Sequence, residues 1–265
     1  MVLTAENYYS REANEEYMSV SQYKDFAGTY GKMACEFTAM EKLNERWEEP
    51  KSKALMVGSY VDSYFEGTLD SFKANNPDLF KRDGGLKAEY VKADEIIERI
   101  ERDAYFMKYM SGEKQVIMTG ELFGAKWKIK IDSYIPDVAI VDLKVMSSIT
   151  RLEWVRDIGY LDFVRYWGYD IQGAVYQEIV RQNTGKKLPF FIAGATKETE
   201  PDIRIIHVTD NYLAEALNMV QMNMSRVLMV KSGKAEPDRC ELCDCCRKNR
   251  VLTRPISITD LTADI

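Results

Sequence analysis

The sequence predicts a single α/β domain, with a mixed β-sheet in the middle of the chain, helices around it and a helical elaboration before it. Two observations carry that expectation. Apolar residues recur at helical spacing up to about position 110, alternate two by two between 114 and 146, and then return to helical spacing with two more strands and a last helix. No internal repeat, low-complexity run or Pro/Gly-rich linker divides the chain. With 265 residues, 46% of them hydrophobic, a sizeable core is within reach.

Residues 1–18, "MVLTAENYYSREANEEYM", are polar and acidic and do not fit a signal peptide, so they are expected to form a loose leader on a cytoplasmic protein. The domain proper is expected over 19–250, with a tail over 251–265. Segment 19–43 reads as a helix pair or one long helix, with Ser19 or Ser21 as N-cap. Segment 54–67 reads as a helix packed at Gly58 and stopped near Gly67. Residues 75–85 read as a loop, and 86–110 as one long surface helix. Strands are expected at 114–122, 125–134 and 138–146, joined by short turns. A helical stretch follows at 151–183, then strands at 188–197 and 202–209, and a helix from 211 to 233 capped by Asp210.

Charge and composition exclude several function classes. The net charge is −6, so contact with nucleic acid needs a local basic patch or metal ions in place of a cationic surface. No run of 18 apolar residues predicts a membrane span. With His207 as the one histidine, a multi-histidine metal site is impossible, and in its apolar strand this residue reads as structural.

The stretch "VDLKV" at 141–145 places Asp142 and Lys144 on one strand face and Val141, Leu143 and Val145 on the other. Buried charges need a partner or a metal, and an Asp–Lys ion pair satisfies that requirement as well as a metal does. A three-residue loop at 136–138 would oppose Ile135 to Ala139 and Asp132 to Asp142. Two opposed carboxylates repel unless a divalent cation joins them. A two-residue loop would instead oppose Asp132 to Val141. Asp, Asp and Lys together suit phosphodiester hydrolysis. The carboxylates hold Mg²⁺ or Mn²⁺, and the lysine positions water or stabilises developing charge.

Asp132, nine intervening residues and Asp142-Leu143-Lys144 resemble the PD-(D/E)xK nuclease signature. Gln172 and Tyr176 in "YDIQGAVYQE" resemble the Q-x-x-x-Y helix of its RecB-like and RecE-like branch. The region from Ser19 resembles that branch's N-terminal S-x-S segment. "GSYVDSYFEG" resembles its G-x-x-(H/D) segment, with Asp62 where relatives often carry histidine. The resemblance covers roughly 19–250 and is nearest to phage or prophage exonucleases of the exodeoxyribonuclease VIII kind. It implies a restriction-endonuclease-like fold, metal ligands at Asp62, Asp132, Asp142 and Leu143, and a catalytic set of Asp132, Asp142, Lys144, Gln172 and Tyr176. It also implies degradation of linear duplex DNA from an end, a single-strand annealing partner of the RecT kind and an oligomer. A non-catalytic nucleic-acid-binding module and a structure-specific endonuclease are the alternatives.

Glu121, in "TGELFG", reads as an outer carboxylate or a turn residue. Lys126, Lys128, Lys130 and Arg165 read as phosphate contacts or as solubilising charges. Cys240, Cys243 and Cys246 make a C-x-x-C-x-x-C run, with Cys245 as an extra and Cys35 as a distant fourth thiol. The set resembles the one N-terminal and three C-terminal cysteines that hold a [4Fe–4S] cluster in AddB-type nucleases, although its last spacing is shorter. Zinc and free thiols are the other readings, and each gives the cluster a structural role tying the tail to the N-terminal helices.

Overall fold

The computed structural model describes residues 1–259. Before the sheet lie α1 (Arg11–Glu16), α2 (Val20–Ala27), α3 (Glu36–Leu43), α4 (Lys53–Phe65), α5 (Leu69–Asn75), α6 (Ala88–Glu101) and α7 (Ala104–Tyr109). The sheet region holds β1 (Val116–Leu122), β2 (Ala125–Ile131), β3 (Ser133–Ile135), β4 (Ala139–Met146), β5 (Glu153–Val155) and β6 (Gly159–Leu161). Then come α8 (Phe163–Tyr166), α9 (Tyr169–Thr184), β7 (Phe190–Thr196), β8 (Ile203–Val208), α10 (Asp210–Lys231) and α11 (Asp244–Lys248).

The central sheet runs β3-β4-β7-β8 and is mixed: β4 and β7 are parallel, while β3–β4 and β7–β8 are antiparallel. Its residue parity separates two cores. Val141 and Leu143 of β4 pack with Tyr60 and Val61 of α4 and Ile96 and Ile100 of α6. Ile140 and Met146 pack on the opposite face with Ile171, Val175 and Ile179 of α9 and Val220 and Val227 of α10. Each fully buried Ile or Val contributes on the order of 1.5–3 kcal/mol. The hairpin β1–β2 packs Trp127, Ile129 and Ile131 into the α9 core.

Several elements differ from the sequence expectation. The strand expected at 125–134 breaks at a bend on Asp132, which separates β2 from β3. The stretch expected to be helical from 151 begins instead with the β5–β6 hairpin. Val155 and Leu161 face inward there, and Asp157 and Gly159 take left-handed turn conformations at φ 64° and 100°. The loop expected at 75–85 begins as the end of α5 and continues through a short 3₁₀ turn, Pro77–Leu79. The long helix expected at 86–110 is two helices, because the Asp103 carboxylate caps the Phe106 N–H at 2.9 Å and restarts the chain. Thr209 flanks α10 and Asp210 is its first residue. Gly58 has open space where a side chain would stand, so it is no packing glycine.

The leader is ordered. Tyr8, Ala13, Tyr17 and Met18 are buried, and Met18 bridges in parallel to Trp127 on the free edge of β2. Of the expected tail, 260–265 lie outside the described residues. Among the described residues, no helix is long and apolar enough to cross a membrane.

Candidate active site

The β3–β4 loop has three residues, 136–138, and pairs Ile135 with Ala139, Tyr134 with Ile140 and Ser133 with Val141. Asp132 lies one step beyond that ladder, at the bend. Its carboxylate takes the place of a backbone partner, with Oδ2 accepting the Leu143 N–H at 2.9 Å. Asp142, 2% exposed, faces α9 from the middle of β4. Its Oδ1 accepts from Gln172 Nε2 at 2.5 Å, and its Oδ2 forms a close ion pair with the Lys144 ammonium. That same Oδ2 accepts no hydrogen bond of good geometry. Lys144 Nζ also donates to the Leu143 carbonyl at 3.2 Å. One turn along α9 from Gln172, the Tyr176 hydroxyl donates to the Lys130 carbonyl at 3.0 Å and ties α9 to β2.

These groups and Asp62 of α4 line a cleft of about 490 Å³. Burial and then the neighbouring Asp142 charge push Asp132 up to about 7, against Lys144 and the Leu143 N–H, which hold it down. Asp62 is raised well above the usual carboxylate range by burial and then by Asp132. Burial works to lower Lys144, yet Asp142 and then Asp132 raise it above the usual lysine range. The cleft is therefore a carboxylate cluster with a lysine ammonium among its members.

Sequence reasoning missed part of this cleft. Lys24 of α2 also lines it, pulled down to about 8 by burial and then by the Lys144 charge. Tyr169, at the start of α9, lies 5.3 Å below the Lys144 ammonium. Tyr8 and Tyr9 of the leader form another wall. Lys24 follows Ser19 and Ser21 by a few residues, so the S-x-S segment was its available signal. The tyrosine roof had none, because a fold that brings the N-terminus over β2 is not encoded in local spacing.

Of the remaining expected residues, Lys128 and Lys130 also line the cleft, while Lys126, Arg165 and Glu121 do not. Lys128 is buried at 1% exposure, bonded to the Tyr8 carbonyl and, at 2.8 Å, to Asn14 Oδ1, so its charge is spent on the leader. Lys130 faces the Tyr8 and Tyr9 rings at 5.7 and 4.8 Å inside the cleft wall. Lys126 pairs with Glu16 outside it. Arg165 lies over Tyr30 and Tyr212 at 5.3 and 5.6 Å. Glu121 is exposed on β1, opposite Lys126, with its backbone held by Gln182; it does not line the cleft. The reason is register: it sits at the far end of the β1–β2 hairpin from Asp132. His207 is exposed on β8, with its ring tilted against that of Phe191 at 5.0 Å.

A second cluster lies beside the cleft. The ligand atoms of Cys35, Cys240, Cys243 and Cys246 all fall within 4.8 Å of one another. The Cys35–Cys246, Cys35–Cys243 and Cys240–Cys246 sulfurs are 3.5, 3.8 and 3.9 Å apart. Cys35 caps α3 and Cys243 caps α11, so two helix N-termini face the sulfurs. Burial works to raise Cys243, yet the Thr38 hydroxyl and the Cys246 N–H hold its thiol down to about 6. Cys245 is buried, with the Asn249 amide 3.8 Å from its sulfur, and is not one of the four. Asp25, Ala39 and Lys42 line both this pocket and the carboxylate cleft.

Over residues 19–249 the sequence matches a family described as a PDDEXK-like domain of unknown function (DUF3799). The crystal structure described as "Putative exonuclease" from Eubacterium rectale is 80% identical over 100% of both chains, with a TM-score of 0.98. The crystal structure of SSO0001 overlaps 73% of this chain and 84% of that one at 10% identity, with a TM-score of 0.29. No curated protein matches the sequence. A mixed sheet flanked by helices, a carboxylate pair with a lysine on its central strand and a match across 19–249 agree with one another, and the chain belongs to this PDDEXK-like family.

Proposed function

We propose that this chain is a divalent-metal-dependent exonuclease that hydrolyses phosphodiester bonds from the ends of linear duplex DNA. The observation that carries the reading is the Asp132–Asp142–Lys144 cluster, buried at Asp142 and half-buried at the other two, with Leu143 and Gln172 holding the two carboxylates. The exonuclease description of the 80%-identical structure supports the same class.

The residues fit a hard divalent cation. Asp142 Oδ2 accepts no hydrogen bond, and the Lys144 ammonium lies against both that oxygen and the Leu143 carbonyl. The ammonium is a stand-in cation at a point where oxygens converge. Asp132, Asp142 and the Leu143 carbonyl would hold Mg²⁺ or Mn²⁺, with Asp62 as a further carboxylate. Once bound, the metal supplies an activated water and neutralises charge on the scissile phosphate. Gln172 fixes the orientation of Asp142 through Oδ1. Lys144, released from the carboxylate, presents its ammonium to developing negative charge. Lys24, Lys130 and Tyr169 line the path that a phosphate backbone would follow.

For the four thiols the reading favours one tetrahedral zinc ion. Zinc–sulfur bonds of about 2.3 Å set tetrahedral sulfurs about 3.8 Å apart; three of the sulfur pairs here lie at 3.5, 3.8 and 3.9 Å, and all four sulfurs fall within 4.8 Å of one another. A [4Fe–4S] cluster ligates each cysteine to a different iron and needs wider spacing. The family resemblance extends the proposal to recombination beside a single-strand annealing protein.

The test is digestion of linear against closed-circular duplex DNA with Mg²⁺, Mn²⁺ or EDTA, beside Asp142→Asn. Metal-dependent loss of linear DNA alone, absent in the folded variant, is the expected result. Retained activity in Asp142→Asn would sink the assignment of the site. Cutting of circular DNA would turn the reading to an endonuclease.

A further inference from the structure

We propose that the β5–β6 hairpin is a stacking platform for unpaired bases at a DNA end, an inference that rests on the nuclease reading above. One face of the hairpin carries the buried Leu161 and the half-buried Val155. Two-residue alternation makes the other face the solvent face, where polar side chains are the rule. Trp154 and Tyr160 occupy it instead, 65% and 70% exposed. They are directly opposed across the strands, with rings in a T-shaped contact at 5.1 Å. Neither ring is part of a core.

Placement and charge point to nucleic acid. In the chain the hairpin follows β4, which carries Asp142 and Lys144, and precedes α8 and α9, the second of which carries Tyr169 and Gln172. Arg156 follows Trp154 by two residues and shares its outward side, and Arg151 precedes the hairpin. Their side chains are 74% and 65% exposed, and their ion pairs with Asp157 and Glu153 are of the surface kind that contributes little. Aromatic faces interleaved with guanidinium groups match a single strand, whose bases stack without sequence preference while its phosphates take the cations. A second copy of the chain fits the patch poorly. Two aromatic side chains bury at most about 500 Å², short of the roughly 800 Å² per partner of a stable interface.

The experiment uses the full chain in EDTA and a short single-stranded oligodeoxynucleotide carrying 2-aminopurine at its end. Wild type is expected to quench the probe by stacking. Trp154→Ala/Tyr160→Ala is expected to lose the quenching and raise Kd on the order of 10–100-fold, while Trp154→Phe/Tyr160→Phe retains most of both. With metal and linear duplex, the loss in the alanine variant falls on KM more than on kcat. Equal binding and quenching by the alanine variant would overturn the platform while leaving the nuclease reading intact. A fall in sedimentation mass with unchanged DNA binding would overturn it in favour of contact between copies. Failure of wild type both to bind and to cleave would remove both readings together.

Discussion

Asp170 shows how one buried group outside the metal ligands records the electrostatics of the fold. It is 3% exposed at the start of α9, where its Oδ1 accepts the Ile171 N–H at 2.9 Å. Burial pushes its carboxyl up to about 6, against the backbone N–H groups and Arg165, which hold it down. A carboxyl raised in the folded state stabilises the protein fully below its unfolded value near 4, and that contribution is lost as pH rises through about 6. The shift corresponds to about 3 kcal/mol. Asp170→Asn, which keeps the acceptor oxygen, should therefore flatten the decline in metal-free stability between about pH 4 and 6. Urea titrations of both proteins in EDTA across that window check it; parallel curves would show that Asp170 is already ionised at little cost.

Among the elements, α9 bears most on the site. It carries Tyr169, Gln172 and Tyr176 toward the cleft and lies against β7 at Gly173, where an added Cβ would stand 2.5 Å from the Phe190 ring and 2.8 Å from Leu213. Phe190 is fully buried and has nowhere to move. Gly173→Ala should push α9 off the sheet, costing about 1–3 kcal/mol through overpacking. Activity should fall as well, because the Gln172 bond to Asp142 lengthens with the helix. Thermal unfolding and single-turnover cleavage measure the two effects. Wild-type values for both would mean that the helix absorbs a methyl group without shifting. The β3–β4 hairpin is the other decisive element. Its three-residue loop, with Asp137 at φ 62°, sets the register that brings Asp132 beside the Leu143 amide.

At the scale of the molecule, the four-thiol cluster joins residues 35 and 240–246, and α3 shares Ala39 and Lys42 between that cluster and the carboxylate cleft. Arg226 of α10 adds to the join by pairing with Glu36 at 2.6 Å. If one metal ion holds the four sulfurs, its removal releases both the C-terminal segment and the start of α3. A site bound at about a thousand times its dissociation constant contributes about 4 kcal/mol, which corresponds to a Tm shift on the order of 10 °C in a chain of this size. Cys246→Ser and strong chelation should each lower Tm by that order and slow cleavage in excess Mg²⁺. Elemental analysis beside the melts identifies the ion. An unchanged Tm would mean that the thiols bind no metal.

The sequence by itself determined the coarse order of helices and strands, apart from the β5–β6 hairpin, and the alternation that puts Asp142 and Lys144 on one face, while it left the β3–β4 loop at two or three residues. These are local properties, set by side-chain period and turn chemistry within a few residues. Only the tertiary structure decided which lysines are available. Lys128 and Lys130 alternate alike in β2, yet the leader folds over the strand and buries the first. It also decided that Glu121 lies at the wrong end of its hairpin, that Lys24 and the tyrosines of residues 8, 9 and 169 line the cleft, and that Cys35 meets three thiols from the far end of the chain. Met222 and Met229 of α10 recur at helical spacing as core residues do, yet they are 82% and 46% exposed. Periodicity says which residues share a face, but the partner that covers a face comes from packing between segments distant in sequence.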